Sequence, residues 1–441
     1  MTNQKKTTGM KSCLLHVSHR AAMLGVLCVF LTNCGSGSQG QAQAQTITPG
    51  IHPLTTVNET AGTGYFVDPL PIHLPATKGS YIPSISGTTK AILNCSTTLA
   101  TGCYQSTPLT IAAAPLSVVA GNVGSTLAPF DNLNVYKDSN NVWQMAATAY
   151  VQNPNVNVGG APWTVIVHAS PKVVPTDGSV PTQWQADSLL VGSFTVPAAG
   201  NYDGKFIEDG SSLYLIYSMR LKAQPNSKGN EDGIVAQSMA TASQVSGSAP
   251  VPLLIPENNA NGGYNSEYFD CLGHALSDQF KLIETGNIAV IGGKYAMAYS
   301  TGRYNMKCYK SGVAWSDSIL GPYKKVLQED TTGVWLEGND NEEEVVYLLQ
   351  NQIQNWPNYI GNYQAPGVPS LVDYQGTWYM YFAAFDPTDE PPASVSQGGT
   401  WDGSHRRPYF IRLDQAVPQN GVTVSGTTNE NLARWLTIAT Q

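Results

Sequence analysis

The chain predicts an all-β fold, a five-bladed β-propeller, and three observations point that way. Its 441 residues include 42 Gly and 28 Pro but are only 12% charged, a mixture rich in turn formers and poor in the Glu, Lys and Ala of long helices. Five stretches share one pattern: an acidic or Gly-Pro element, a short strand, a turn, then a strand rich in Tyr, Trp or Met. They begin at Asp68, Asp131, Asp203, Glu284 and Gly367, separated by 63, 72, 81 and 83 residues, which fits blades of a propeller carrying loops. Finally, Asp138-Ser-Asn-Asn, Glu208-Asp-Gly-Ser, Gly292-Gly-Lys and Tyr374-Gln-Gly each divide two apolar alternating runs, as hairpin turns do.

Residues 1–45 read as an export signal and flexible tether. Lys5, Lys6, Lys11 and Arg20 come before or at the edge of an apolar run from Ala21 to Leu31, with no acidic residue before Cys34. The run is too short to span a bilayer. Leu31-Thr-Asn-Cys34 resembles a bacterial lipobox, which makes Cys34 a lipidation site, and ordinary cleavage after Ala42-Gln-Ala44 competes with it. The protein is therefore expected in the periplasm or at the outer membrane or cell surface as a lipoprotein, or else secreted, touching a membrane only through that anchor.

Residues 46–441 form the expected propeller. The first blade, 46–124, has to be drawn from the strands SYIPSISG, TKAILNCSTTL and PLTIAAAPLSVV. The other four follow from the hairpins above, and the residues after Arg412 close or cap the ring. Asp340–Gln354 reads as a helix or a long outer strand, its acid run a solvated face. His168, inside TVIVHAS, and His274, inside LGHAL, read as core histidines.

Without residues 1–33 the chain keeps 19 basic against 31 acidic side chains, a net charge of −12, which argues against a nucleic-acid partner. Beyond the signal lie four cysteines, an even number that suits an oxidising compartment. Proximity pairs Cys95 with Cys103 and leaves Cys271 with Cys308; no C-x-x-C spacing suggests a metal site.

Glu284 is the residue that points to chemistry. It lies inside the apolar strand Lys281-Leu-Ile-Glu-Thr-Gly-Asn-Ile288, where an unpaired carboxylate costs several kcal/mol to bury. The innermost strands of a propeller start at a central channel, so carboxylates distant in sequence meet there. Glycoside hydrolysis needs that arrangement: one acid protonates the leaving oxygen and a carboxylate activates water on the opposite face.

Several motifs of residues 125–412 resemble glycoside hydrolase family 43: Asp203 followed by Phe206 and the Asp209-Gly210 turn, Ile283-Glu284 ahead of an aromatic hairpin, Ser318-Ile-Leu-Gly-Pro-Tyr323, and Gly376-Thr-Trp-Tyr-Met380. The resemblance implies that Glu284 is the general acid and Asp203 the residue that tunes its pKa. It places the general base in the first blade, where Asp68 of Val67-Asp68-Pro69 is the candidate. Asp131 is the reserve, taking over if the region before 125 is an appendage, and otherwise serves sugar binding.

Arg303, Trp401 and Arg406 are candidate sugar contacts, through a guanidinium clamp or an aromatic face. Where the family usually has a histidine near a bound ion, this chain has Val368, so no metal and no cofactor is expected. The expected activity is cleavage of arabinofuranosyl or xylosyl linkages of an oligo- or polysaccharide with inversion, by a monomer; the alternative is a carbohydrate-binding propeller without turnover. The cysteine count carries its own expectation: mature protein denatured without reductant should yield no titratable thiol, and two or more would refute the pairing.

Overall fold

The computed structural model describes residues 51–53, 81–86, 89–94, 105–156, 163–197, 200–222, 231–256, 267, 280–306, 309–325, 347–349, 360, 363–374, 377–385, 406–414 and 437–438. Among the described residues the regular structure is strand apart from one short helix. The strands are β1 (Ile51–Pro53), β2 (Tyr81–Ser86), β3 (Thr89–Asn94), β4 (Gln105–Pro108), β5 (Thr110–Ala112), β6 (Thr126–Lys137), β7 (Trp143–Gln152), β8 (Thr164–Pro171), β9 (Gln183–Val191), β10 (Asn201–Asp209), β11 (Ser212–Lys222) and β12 (Glu231–Thr241). Then come β13 (Gln244–Val245), β14 (Val251–Leu254), β15 (Lys281–Ile291), β16 (Lys294–Thr301), β17 (Lys310–Ser316), β18 (Lys324–Lys325), β19 (Tyr347–Leu349), β20 (Gln364–Tyr374), β21 (Thr377–Phe385), β22 (Arg406–Asp414) and β23 (Thr437–Ile438).

These strands make a five-bladed β-propeller. The blades are antiparallel meanders: β2-β3-β4, β6-β7-β8-β9, β10-β11-β12, β15-β16-β17 and β20-β21-β22. Their first strands, β2, β6, β10, β15 and β20, neighbour one another in that order and so form the inner ring. Outer strands are added to the rims: β5 runs parallel to β9, β13 and β14 pair with β12, and β18 and β19 with β17. β1 and β23 both pair antiparallel with β22, so a strand from early in the chain lies on the last blade and ties the ring.

Alternation along each strand sends one face to the preceding blade and the other to the following one. In β16, Met297 and Tyr299 join the apolar layer shared with the third blade, while Ala296 and Ala298 join the layer shared with the fifth. Between the second and third blades, Tyr136, Ile166 and Leu190 meet Phe206, Leu215 and Val235. The three interfaces among the second to fifth blades are thus apolar sandwiches, the dominant favourable contribution to folding.

A second, polar device repeats at the inner ring. In β6, β10, β15 and β20 a bulge follows the residue that pairs with the second strand, and the next residue turns left-handed: Asn132 (φ 48°), Asp203 (φ 58°), Thr285 (φ 62°) and Val368 (φ 55°). In three of these the backbone N–H donates to a hydroxyl on the preceding blade: Asp203 to Thr148 Oγ1 at 3.1 Å, Thr285 to Ser218 Oγ at 3.1 Å, and Val368 to Ser300 Oγ at 2.8 Å. Two residues further on, Asn134 Oδ1 accepts from Phe206 N–H at 3.0 Å and Asn287 Oδ1 from Leu371 N–H at 3.1 Å, each on the following blade. Gly286 must lack a side chain, since a Cβ there would meet Ile234 Cγ2 at 2.8 Å.

The structure departs from the sequence reading within the segment drawn for the first blade. Within PLTIAAAPLSVV only β5 is an extended strand beyond Pro108, and it joins the second blade's edge; Leu116–Asn122 is a helix, α1, whose Leu116 and Ala120 pack on the second blade. Apolar spacing of 116 and 120 is helical, and a short apolar run does not distinguish helix from buried strand. Of Asp340–Gln354, the described part, Tyr347–Leu349, takes the strand alternative, as β19 on β17. His168 is a core histidine with both ring nitrogens engaged, Nδ1 with Asp187 Oδ1 at 2.6 Å and Nε2 with Gln144 Oε1 at 2.8 Å.

The hydroxyl links predict a measurable cost. Ser218→Ala and Thr148→Val each strand a buried N–H, and each should lower the unfolding free energy by about 1–3 kcal/mol. Denaturant titration reads this, and Thr148→Ser, which keeps the acceptor, should lose less; a loss for Ser as large as for Val would count against the hydroxyl link as the main contribution.

Candidate active site

The bulge fixes one inward position in each of the second to fifth blades. Asp131 faces Thr148, Tyr202 faces Ser218, Glu284 faces Ser300 and Gly367 faces Ala383, each immediately before the left-handed residue. This register corrects the sequence repeat in the third blade, where Tyr202 rather than Asp203 is the counterpart of Asp131 and Glu284. Asp203 takes the left-handed position itself, because Asp, like Asn, tolerates positive φ better than other residues with a Cβ. Asp131, Tyr202 and Glu284 are half-buried, whereas Asp203 is buried.

Glu284 is held from one side by the fully buried Tyr309, whose hydroxyl donates to Oε1 at 2.7 Å. Tyr309 can lie there because the fifth blade has glycine at its inward position: a Cβ on Gly367 would fall 1.7 Å from Tyr309 Cε1. The ring packs with Ala365, Val368 and Phe385, and the Arg406 guanidinium lies 4.9 Å from its centroid. Arg406 is itself fully buried, donating from Nη1 to Tyr304 C=O at 3.0 Å and from Nη2 to Ala383 C=O at 2.8 Å. As the structure has it, Arg406 supports Tyr309 and reaches Glu284 only through it.

A second phenol on Glu284 is that of Tyr202. Its pKa is driven far above the ordinary tyrosine value, by burial first, then by the charges of Glu284, Asp232 and Asp203, with a hydrogen bond to Glu284 adding to the effect. Tyr202 is therefore a permanent donor at ordinary pH. The parallel pairing of β12 with β15 sets Asp232 beside Leu282, two residues before Glu284. Asp232 Oδ2 accepts from Tyr202 at 3.4 Å and from Arg220 Nη2 at 3.3 Å, and Arg220 Nε contacts Oδ1. Burial raises the Asp232 pKa, against the hydrogen bond and charge of Arg220 and the hydrogen bond of Tyr202.

The structure thus brings Glu284 and Asp203 into one neighbourhood around Tyr202, and puts Asp131 at the matching inward position of the second blade. Arg303 lies in the turn after β16, its C=O accepting from Met306 N–H at 2.8 Å. Asp68 and Trp401 lie outside the described residues, as do Cys34, Cys95, Cys103, Cys271 and Cys308. Among the described residues no group of three or more His, Cys, Asp or Glu is arranged to hold a metal ion.

Four residues of this neighbourhood escaped the sequence reading: Tyr202, Tyr309, Asp232 and Arg220. Asp232 carried the same cue as Glu284, a carboxylate ahead of an apolar strand. Tyr309 carried none, since only the glycine of another blade makes room for it.

No protein-family model and no curated protein matches the chain. Solved structures do. A thermostable family-43 glycoside hydrolase superposes with a TM-score of 0.51 at 17% identity, covering 82% of this chain and 93% of that one. An α-L-arabinofuranosidase from Lactobacillus brevis superposes with a TM-score of 0.53 at 15% identity, covering 80% of this chain and 91% of that one.

Gly367→Ala is the sharpest probe of the Tyr309 arrangement. The added methyl has to expel Tyr309, so a stability loss of about 1–3 kcal/mol is expected from overpacking, together with a changed near-ultraviolet tyrosine signal. Tyr309→Phe, which keeps the ring, should leave the unfolding midpoint much closer to that of the parent. These comparisons with known structures, taken with the inward carboxylates, show that the chain shares the propeller fold of family-43 glycoside hydrolases.

Proposed function

We propose that the protein is a glycoside hydrolase acting on arabinofuranosyl or xylosyl linkages with inversion. The observation that carries this reading is Glu284: a half-buried carboxylate at an inward position of the ring, gripped by one buried tyrosine and flanked by a second. An acid catalyst has to exchange its proton with the leaving oxygen and remain fixed in direction while it does so. The hydroxyl of Tyr309 on Oε1 fixes the carboxyl plane and favours Oε2 as the oxygen that carries the transferable proton. Asp203, buried one residue from Tyr202, adds a negative charge to that neighbourhood, and like charges raise a neighbouring carboxyl's pKa.

Inversion needs a second carboxylate that takes a proton from water as the oxygen attacks the anomeric carbon; the glycosidic bond breaks and Glu284 protonates the departing oxygen. We assign this base to Asp68, which lies 63 residues before Asp131, much as the inward residues of later blades follow one another. Asp131, Arg303 and Trp401 are assigned to sugar binding. Arg406 supports the acid through Tyr309. Water is the only co-substrate, and export through the N-terminal segment, with a lipid on Cys34 and disulfides Cys95–Cys103 and Cys271–Cys308, would deliver a monomer to extracellular glycans.

A second reading, sugar binding without turnover, is favoured by one feature. Val368 turns left-handed into the apolar cluster of Tyr309, Ala365 and Phe385, at the place where a family-43 enzyme usually has a histidine.

Turnover decides between them. Aryl and natural arabinofuranosides and xylosides should be hydrolysed, and Glu284→Gln should cut kcat on natural substrates by about 10²–10⁴-fold with a smaller loss on aryl glycosides of good leaving groups. Asp68→Asn should be as severe, while Asp131→Asn should act mainly on KM; the reverse pattern would make Asp131 the base. Saturable sugar binding without any hydrolysis would favour the second reading.

A further inference from the structure

We propose that Tyr202 and Asp232 are positioning residues that set the protonation of Glu284, through one hydroxyl proton for which the two carboxylates compete. A phenol has a single O–H to donate. That of Tyr202 lies 3.4 Å from Asp232 Oδ2, a long contact, and it stands at the third blade's inward position, the structural counterpart of Glu284 on the fourth. When the hydroxyl turns to Glu284 it stabilises the ionised carboxylate; when it turns to Asp232 it leaves Glu284 easier to protonate.

Arg220 sets the balance. It contacts both oxygens of Asp232, and its own backbone N–H is tied to Gly200 C=O at 2.9 Å, so the guanidinium already satisfies the carboxylate that Tyr202 would otherwise serve. Other groups facing this cluster are Asp203, on the same strand as Tyr202, the buried Lys205 of that strand, whose Nζ donates to Gly286 C=O at 3.1 Å, and Tyr309, which donates to Glu284 Oε1. Tyr202 is thereby released toward Glu284 whenever Glu284 is charged, as it would be after giving up a proton. This inference deepens the hydrolase reading and rests on it for its catalytic meaning, but the ionisation of Glu284 is measurable without any turnover.

The two residues pull in opposite directions, which makes the test sharp. Tyr202→Phe removes a donor to the charged form and should raise the Glu284 pKa. Asp232→Asn removes a nearby negative charge and a competitor for the proton, keeps an oxygen for Arg220, and should lower it. Each shift should be about one pH unit.

The readout is the side-chain carboxyl resonance of Glu284 in ¹³C-glutamate-labelled protein, assigned by its loss in Glu284→Gln and followed against pH. If the enzyme turns over, the alkaline limb of kcat/KM should move with it: upward for Tyr202→Phe, downward for Asp232→Asn. An unmoved Glu284 titration in Tyr202→Phe, or shifts of the same sign in both variants, overturns the proposal. Should Asp232→Asn fail to fold, Tyr202→Phe alone decides it. Absence of hydrolysis in the parent protein would refute the hydrolase reading and leave the titration test intact.

Discussion

The inner ring depends on one interaction: the hydroxyl of one blade's second strand accepting the N–H of a left-handed residue on the next blade's first strand. Left-handed backbone is costly for residues with a Cβ, about 1–2 kcal/mol, and most unusual for β-branched ones. Yet Thr285 and Val368 both adopt it. A buried N–H left without a partner would cost a similar amount, so the strain and the link hold each other in place. Neither supplies much net stability. The apolar sandwiches between blades do that, and the links select the register in which they pack.

Register matters because it aims the inward residue. The left-handed turn after Glu284, locked by Ser218, interrupts the β15–β16 pairing between Glu284 and Asn287 and leaves Glu284 opposite Ser300 at the ring's inner edge. Without the bulge the alternation of the strand would continue, and a carboxylate among Leu282, Ile283 and Ile288 would have to face an apolar layer. The same device placed residues of very different chemistry at the four seats: a carboxylate, a phenol, a second carboxylate and a glycine. The glycine is as functional as the others, because its missing side chain is the space that Tyr309 occupies.

Much of this was legible in the sequence. The carboxylate inside KLIETGNI stood out because nothing in a plain strand explains it, and the hairpin turns fixed β6–β7, β10–β11, β15–β16 and β20–β21. What misled was local chemistry that serves two purposes. Asp203-Gly204 looks like the acidic start of a blade, and in the second and fourth blades that acidic start, Asp131 or Glu284, is the inward residue; here the aspartate takes the positive φ, and Tyr202 has the inward position. Leu116 and Ala120 sit in an apolar run that strand and helix share. Tyr309 and Arg220 could not be read at all, and Arg406 was read only as a sugar contact, since their roles arise from carbonyls and carboxylates 12 to 102 residues away.

The arrangement around Glu284 also explains why the cluster can keep so many acids close together. Asp203, Asp232 and Glu284 would repel one another if all were charged and unpaired, and burial makes that repulsion larger. The structure answers with two neutral phenols and one cation: Tyr309 on one oxygen of Glu284, Tyr202 between Glu284 and Asp232, and the Arg220 guanidinium on Asp232. A lysine in place of either tyrosine would neutralise the acid and fix it in its ionised form, useless for donating a proton. Phenols steady the carboxyl group in both protonation states, since an O–H can donate to a carboxylate and its oxygen can accept from a carboxylic acid. An acid that loses its proton and regains it in each cycle is better served by such partners than by cations, and that choice of residue type, more than the number of carboxylates, is what the role proposed for Glu284 requires.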